Sequence, residues 1–200
     1  MHEAKVESAP EISVVIPVHD GGAPFLECLR SISASSWRDF EVIVVDDGST
    51  ESIGRAAASF PCRLVALPVN LGPANARNVG ARQARGRLLF FLDADILVRR
   101  DTLEKIVRAF SDEPQIDALF GSYAKDTEPR NFVSRYKNLL HHYTHQNSDP
   151  DAVTFCGGFG AIRREVFLQM GGFDPSWRFL EDIEFGRCHR VLRASVSRSR

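Results

Sequence analysis

The sequence lacks several features that mark specialised classes of protein. Its 25 lysine and arginine residues nearly balance its 26 aspartate and glutamate residues, so no excess of positive charge indicates nucleic acid as the main partner. No apolar run approaches the ~20 residues that a membrane-spanning helix needs. The first eleven residues, MHEAKVESAPE, contain no apolar signal segment. We therefore expect a cytoplasmic protein, either free or peripherally associated with the inner face of the membrane.

Cysteine is also scarce, and internal repeats and low-complexity segments are missing. The four cysteines are widely separated and form no CxxC pair, which favours structural or incidental thiols over zinc ligands or disulfides. What remains is an ordinary globular balance of 44% hydrophobic and 26% charged residues over 200 positions. This length is sufficient for one α/β domain with a hydrophobic core.

Short apolar runs recur along the chain and predict its sheet. They are rich in β-branched and aromatic residues and do not alternate with polar ones, as expected of parallel strands buried on both faces. Helical patterns lie between the runs, one of them beginning at Pro73. This alternation predicts an α/β fold with a mostly parallel sheet flanked by helices. The runs cover residues 12–18, 41–47, 63–69 and 88–93, and a fifth strand is expected over 117–123.

Polar residues follow three of the predicted strands. The first strand ends in Pro17, Val18, His19 and Asp20, the second runs into 46–50 (DDGST), and the fourth runs into 93–95 (DAD). Ligands of open parallel sheets bind beyond the carboxyl ends of the strands. We therefore expect these three segments to lie along one rim.

Asp93 and Asp95 place two carboxylates one residue apart at the end of a buried strand. Residues i and i+2 of an extended segment point to the same side, so both can face the rim. Two such close carboxylates repel each other, and a divalent cation relieves this repulsion. Mg²⁺ or Mn²⁺ is typically held by one or two carboxylates together with phosphate oxygens and water, which predicts a nucleoside diphosphate as the ligand. The alternative is that the two aspartates only mark a strand end and a turn.

The DDGST segment and the arginine of NLGPANARNVG allow two interpretations each. A carboxylate of Asp46 or Asp47 can accept hydrogen bonds from a uracil imide or from ribose hydroxyls, and Gly48 can let the backbone approach a ligand. Asp-Gly is equally typical of a plain turn. Arg77 can neutralise a phosphate, or it can be an exposed arginine on a helix that packs against the sheet.

The motifs together resemble family 2 glycosyltransferases of the GT-A fold, over nearly the whole chain from residue 12 to residue 190. The resemblance depends on the order and spacing of ISVVIPVHD, EVIVVDDGST, NLGPANARNVG, LLFFLDAD, GGFD and FLEDIEFGR. It implies a nucleotide-sugar donor, a carbohydrate or lipid-linked acceptor, a divalent metal, and inversion at the anomeric carbon. Polysaccharide or glycolipid synthesis is the setting that the family suggests.

The resemblance also implies roles for single residues. Pro17 and His19 line the nucleotide pocket, and Asp47 meets the base with Asp46 beside it. The DxD pair is Asp93 and Asp95, of which Asp95 is the more direct metal ligand. Asp182, in the acidic pair of FLEDIEFGR, matches the catalytic base. For that pair, compensation of a helix dipole is the structural alternative.

A glycine-rich segment, TFCGGFGAI over 154–162, is expected near the sugar and the acceptor. Gly158 and its neighbouring glycines allow close approach, and Phe155 or Phe159 can stack on a sugar face. The alternative is simply a strand bent by glycine. We expect four parts along the chain. They are a flexible tail (1–11), a nucleotide-sugar-binding half (12–124), an acceptor-binding and catalytic half (125–190) that contains this segment and the acidic pair, and a basic tail (191–200) expected to be disordered or truncated.

Two other functions fit part of the pattern. Phosphatases of the haloacid dehalogenase type also place Asp-x-Asp after an apolar strand, but usually on the first strand and with Thr or Val where this chain has Leu97. The second alternative is a truncated, catalytically impaired protein that binds a nucleotide sugar without transferring the sugar. We expect the active enzyme, with a UDP-sugar as donor.

Overall fold

The computed structural model describes residues 8–123, 155–176, 185 and 191–199 of the chain. Strands and helices alternate through the first part, as the apolar pattern predicted. The described residues include the helices α1 (Gly22–Ser33), α2 (Ile53–Ala57), α3 (Pro73–Gln83), α4 (Thr102–Asp112) and α5 (Arg164–Gln169). The strands in the described residues are β1 (Ile12–Val18), β2 (Phe40–Asp47), β3 (Arg63–Leu67), β4 (Leu88–Leu92), β5 (Leu97–Val98), β6 (Ala118–Tyr123), β7 (Phe159–Arg163) and β8 (Val191–Ser199).

The strands form one sheet in the order β3-β2-β1-β4-β7-β6-β8-β5. The first four strands in this order are parallel to one another, so their carboxyl ends meet at the same edge. β7 runs antiparallel to both β4 and β6. The expected mostly parallel α/β sheet is therefore confirmed, with an antiparallel strand at the centre that the sequence pattern did not predict.

Helices cover both faces of this sheet, and the alternation of β1 side chains shows how. Val14 and Ile16 face a core that includes α1 and α4, whereas Val15 between them faces a second core that includes α3 and α5. All seven residues of β1 are buried. A continuous apolar run is the sequence that a central strand with two covered faces requires.

Two predictions about strands were wrong. The third apolar run was expected to be buried on both faces, but β3 lies at one edge of the sheet, and Arg63, Leu64 and Ala66 are exposed. An edge strand pairs on one side only, so fewer neighbours cover it. In the segment 191–200, expected to be disordered, the backbone of Val191–Ser199 instead forms β8 and pairs with β6 and β5.

No helix in the described part of the chain is both long and apolar enough to cross a membrane.

Candidate functional site

A cleft of about 320 Å³ opens at the carboxyl ends of β1, β2 and β4. The polar strand ends were expected to share one rim, and the sheet topology brings them there. The lining residues come from the ends of these strands, the start of α1, and the β3–α3 loop with the first residue of α3. They are Pro17, Val18, His19, Gly21, Pro24, Asp47, Asn70, Pro73, Asp93, Ala94 and Asp95.

The two acids of the DxD pair both line the cleft, but their surroundings differ. Arg77 donates from Nη2 to Asp93 Oδ1 at 2.7 Å, and the Asp93 backbone NH donates to the Gly158 carbonyl at 2.9 Å. The Asp93 side chain is 40% exposed, and Asp95 is an exposed residue. One carboxylate is therefore fixed and already paired with a cation, and the other stands at the cleft surface.

This pair of hard oxygen donors fits a site for Mg²⁺ or Mn²⁺. Among the described residues, no three histidine, cysteine, aspartate or glutamate side chains come together as a ligand set. A cation held by these two carboxylates would thus take its remaining ligands from beyond the described residues. Phosphate oxygens and water are the ligands that complete such sites.

Cys28 lies beneath this loop, and its Sγ is 3.7 Å from the Asp93 carbonyl oxygen. Burial, together with the negative charges of Asp95 and Asp93, raises the pKa of the Cys28 thiol to about 12. The thiol is therefore neutral at physiological pH, and a neutral thiol is a poor nucleophile. For Cys28, this agrees with the structural role predicted from the sequence.

Arg77 and Gly158 do not line the cleft but hold Asp93 from behind. The Arg77 side chain is only 5% exposed, and its guanidinium also lies 5.8 Å from the centre of the Phe173 ring. A Cβ atom at position 158 would overlap Asp93 Oδ2 and lie 2.8 Å from Cγ. The residue at 158 must therefore be glycine if Asp93 is to keep this position. The phosphate contact expected of Arg77 and the sugar contact expected of Gly158 remain predictions.

The second strand end is organised by its two aspartates. Asp47 is 4% exposed, and its carboxylate oxygens accept hydrogen bonds from the backbone NH groups of Leu71 (2.9 Å) and Gly72 (2.8 Å). Asp46 accepts from the NH of Ser49 at 2.9 Å and does not line the cleft. Both carboxylates thus shape loops around the cleft, whereas their predicted contacts with a base or ribose stay predictions.

Gly48 follows these aspartates with a φ of +68°. A Cβ atom there would come within 2.5 Å of the Asn70 nitrogen and the Val69 carbonyl carbon. From the sequence, this glycine was expected to let the backbone approach a ligand. The structure shows that it lets the loop after β2 approach Val69 and Asn70, which follow β3.

His19 and Asp20 connect the end of β1 to the same loops. His19 Nδ1 is 3.0 Å from the Asp47 carbonyl oxygen, and because a carbonyl only accepts, Nδ1 carries the proton. Asp20 accepts from the NH groups of Thr50 (2.8 Å) and Glu51 (3.2 Å). Hydrogen bonds from the Glu51 and Thr50 backbone outweigh desolvation and hold the pKa of Asp20 below its ordinary value.

Three residues of this region had no role in the sequence analysis. Asp20 was noted only as part of a polar strand end, although a non-glycine residue with a φ of +48° marks a constrained position. Asn70 lines the cleft, and its Oδ1 accepts from the Gly72 NH. Asn78 is 6% exposed and binds the backbone of Phe173. Only the presence of Asn70 and Asn78 in NLGPANARNVG could have singled them out.

The proposed sugar-stacking role of two phenylalanines is wrong. Phe155 is fully buried and Phe159 is 1% exposed, and both belong to the hydrophobic cores. Phe159 packs edge-on against Phe90, with ring centres 5.3 Å apart, and Phe155 packs against Phe91 at 6.3 Å. A ring enclosed in the core cannot present its face to a sugar. The predicted base, Asp182, lies outside the described residues.

Comparison with known proteins identifies relatives of the chain. A family model described as glycosyl transferase family 2 matches residues 13–171. An uncharacterized glycosyltransferase of Haemophilus influenzae is 29% identical over 185 residues, which cover 87% of this chain and 60% of the relative. The pre-mycofactocin glycosyltransferase of Mycobacterium tuberculosis is 30% identical over 202 residues, covering 93% of this chain and 40% of the relative. The chain thus spans at most 60% of the length of either relative.

Solved structures share the fold. The mannosyltransferase PcManGT from Pyrobaculum calidifontis, in complex with GDP-Man and Mn²⁺, superposes with a TM-score of 0.74 at 23% identity, covering 97% of this chain and 57% of that protein. Staphylococcus aureus TarS 1–349, in complex with UDP-GlcNAc, gives 0.72 at 22% identity, covering 95% and 58%. This likeness confirms the expected GT-A fold. Because the family model matches most of its length, the chain belongs to glycosyl transferase family 2.

Proposed function

We propose that this chain carries the donor site and the catalytic base of a metal-dependent, inverting glycosyltransferase with a UDP-sugar as donor. One observation carries the proposal. A single cleft is lined by Asp93 and Asp95, which follow β4, and by Pro17, His19 and Asp47, which lie at the ends of β1 and β2. A nucleoside diphosphate needs both an anionic metal-binding wall for its phosphates and a separate wall for its nucleoside.

Each part of the cleft has a role in this proposal. Asp95 and Asp93 would hold Mg²⁺ or Mn²⁺, which when bound stabilises negative charge on the diphosphate as it departs. Pro17 and His19 line the nucleoside part, and Arg77 would add a positive charge behind the phosphates. The solved relatives in complex with UDP-GlcNAc, and with GDP-Man and Mn²⁺, support a donor of this class.

The transfer itself needs one base. The acceptor oxygen attacks the anomeric carbon in line with the bond to the diphosphate, which leaves with the bonding electrons. Asp182 takes the proton of the acceptor hydroxyl as its oxygen bonds to carbon. A single displacement of this kind inverts the anomeric configuration and needs no covalent intermediate on the enzyme.

The acceptor is proposed from relatives alone. A succinoglycan biosynthesis protein of Rhizobium meliloti and an O-antigen biosynthesis protein of Myxococcus xanthus are 33% and 31% identical to parts of this chain. We therefore propose a carbohydrate or lipid-linked acceptor in the synthesis of a surface polysaccharide or glycolipid. The cytoplasmic location expected from the sequence remains a prediction.

The test is a panel of UDP-, GDP- and dTDP-sugars with and without Mn²⁺, scored by thermal shift and by hydrolysis of the donor. We expect one donor to stabilise the protein only when metal is present. Asp95→Ala should abolish this metal-dependent binding, and Asp112→Asn, at the exposed end of α4, should leave it unchanged. Asp182→Asn should preserve binding and remove hydrolysis.

Three outcomes would contradict the proposal. Nucleotide affinity that does not respond to a chelator would exclude the metal role of Asp93 and Asp95. Full turnover in Asp182→Asn would exclude that residue as the base. Donor binding without hydrolysis or transfer in the unmodified chain would instead support the nucleotide-sugar-binding alternative.

A further inference from the structure

Two consecutive residues of α3 bind two different parts of the chain. Arg77 donates to the Asp93 carboxylate at 2.7 Å. Asn78 makes two hydrogen bonds to Phe173: Nδ2 donates to the Phe173 carbonyl at 2.7 Å, and Oδ1 accepts from the Phe173 NH at 2.9 Å. One helix turn thus reaches both the acidic loop after β4 and the GGFD turn after α5.

The Asn78 contact has little freedom to change. A side-chain amide offers one donor group and one acceptor, and both are used on a single backbone residue in a place where Asn78 is 6% exposed. Gly172, next to Phe173, has a φ of +81°, and a Cβ atom there would lie 2.5 Å from Asn78 Oδ1. Both the backbone conformation and the close approach therefore require glycine at 172.

The helix that carries these residues is itself fixed to the sheet. A Cβ atom at Gly80 of α3 would overlap a methyl group of Val15 and lie 3.2 Å from a methyl group of Val45. Phe173 in turn packs against Phe91 of β4, with ring centres 5.2 Å apart. Phe91 lies on β4, two residues before Asp93, which follows the end of the strand. The GGFD turn is therefore held against α3 by hydrogen bonds and against β4 by a ring contact.

We propose that Asn78 is a positioning residue for sugar transfer. Together with Arg77 it forms a two-residue clamp on α3 that holds the Gly172–Phe173 turn at a fixed distance from Asp93. The inference rests on the proposed function, because transfer needs the donor site and the second half of the chain in one geometry. A displacement of about 1 Å between reacting groups can cost roughly 100-fold in rate.

The variant Asn78→Ala tests the clamp, and Ser13→Ala is its matched control. Ser13 is also a buried polar side chain with two hydrogen bonds: its hydroxyl donates to Glu41 and accepts from the Gly86 NH. It lies at the amino end of β1, away from the cleft. Both variants leave a buried backbone or side-chain group without a partner. They should therefore lose comparable stability.

Two measurements distinguish positioning from stability alone. In Asn78→Ala, hydrogen exchange of the Phe173 amide should accelerate at least ~10-fold, because the side-chain oxygen that accepts its hydrogen bond is gone. In Ser13→Ala, exchange of this amide should accelerate by no more than the loss of global stability accounts for. Donor hydrolysis should show kcat reduced roughly 10- to 100-fold in Asn78→Ala, with the donor dissociation constant within about 3-fold of the unmodified protein. Ser13→Ala should keep both constants.

Gly172→Ala attacks the same contact from the other side and serves if Asn78→Ala does not fold. It should reproduce the fall in kcat. In the double variant, the loss of transition-state stabilisation should be smaller than the sum of the losses in the two single variants. Unchanged exchange at Phe173, or a kcat in Asn78→Ala equal to that of Ser13→Ala, overturns the proposal. If the unmodified protein binds no nucleotide sugar, the proposed function fails, and the exchange of the Phe173 amide still decides whether the clamp exists.

Discussion

Arg77 is almost fully buried, and it donates to a carboxylate, Asp93, that is 40% exposed. The cation of this pair is enclosed by protein, whereas the anion faces a cleft where a divalent ion can reach it. Asp93 therefore has a permanent positive neighbour on one side. Asp95 is exposed at the same cleft, and its role as the more direct metal ligand stays a prediction.

Removing the Arg77 guanidinium should destabilise the protein and loosen Asp93. Arg77→Met leaves Asp93 Oδ1 without its charged donor, and hydrogen bonds to charged groups contribute about 1.5–3 kcal/mol each. We expect a loss of that size in the free energy of unfolding, measured in urea. Arg30→Met, which breaks the exposed Arg30–Glu27 pair, should cost less than about 1 kcal/mol. Equal losses in the two variants would contradict the structural importance of the Arg77–Asp93 pair.

Gly158→Ala should weaken metal-dependent binding of UDP through displacement of Asp93. The added methyl group would overlap Asp93 Oδ2, so the carboxylate must move from its position. We expect at least a ~10-fold rise in the dissociation constant of UDP with Mn²⁺, measured by calorimetry, and a smaller change with EDTA.

Gly54→Ala is the control for this substitution. Gly54 lies in α2, where a Cβ atom would meet only Leu64 Cδ2 at an ordinary 3.6 Å. Alanine favours helix over glycine, so this variant should be equal or more stable by up to ~1 kcal/mol and should bind UDP normally. The same loss of UDP affinity in both variants would exclude the contact with Asp93 as its cause.

Asp47→Asn should disorganise the β3–α3 loop. Each carboxylate oxygen of Asp47 accepts from a backbone NH, of Leu71 or of Gly72, and an amide can replace only one of these acceptors. Asp47 is 4% exposed, so an amide NH₂, which cannot accept, facing one of these two NH groups should cost about 1–3 kcal/mol in the free energy of unfolding. Asp46→Asn keeps an oxygen for the Ser49 NH and should stay within about 0.5 kcal/mol. A larger loss for Asp46→Asn than for Asp47→Asn would refute this assignment.

The lowered pKa of Asp20 predicts that the stability of the protein falls as the pH becomes acidic. Its pKa in the folded protein lies below the ordinary value of 3.8, because the backbone NH groups of Glu51 and Thr50 donate to the ionised carboxylate. Its stabilising contribution is therefore complete above the unfolded pKa and is lost as the pH falls through the folded pKa. Asn tolerates the left-handed backbone, so Asp20→Asn removes the charge with little added strain.

The measurement is the difference in melting temperature between the unmodified protein and Asp20→Asn as a function of pH. This difference should be constant near neutral pH and should shrink below pH 3.8, the ordinary pKa of the group. Asp112→Asn, an exposed aspartate at the end of α4, corrects for the general effect of losing one negative charge. A difference that does not change on acidification would show that the Asp20 charge does not hold these loops.

The sequence by itself determined the strands β1, β2 and β4 and the positions of the polar residues that follow them. The observed β1 matches residues 12–18, and β2 and β4 differ from the predicted runs by one residue at one end. This succeeds because a continuous apolar run between turn residues has few other stable outcomes. Because parallel strands share a direction, the rim that joins Pro17, His19, Asp47, Asp93 and Asp95 also followed from the sequence.

Only the tertiary structure decided which of those residues face the cleft and which support it. Arg77, for which a phosphate contact was one of two interpretations, is buried and paired with Asp93, and Phe155, for which a sugar contact was one of two, lies in the core. The contact between Asn78 and Phe173 joins residues 95 positions apart. Side-chain partners at such separations depend on the packing of helices against the sheet, and local patterns of residues carry no record of that packing.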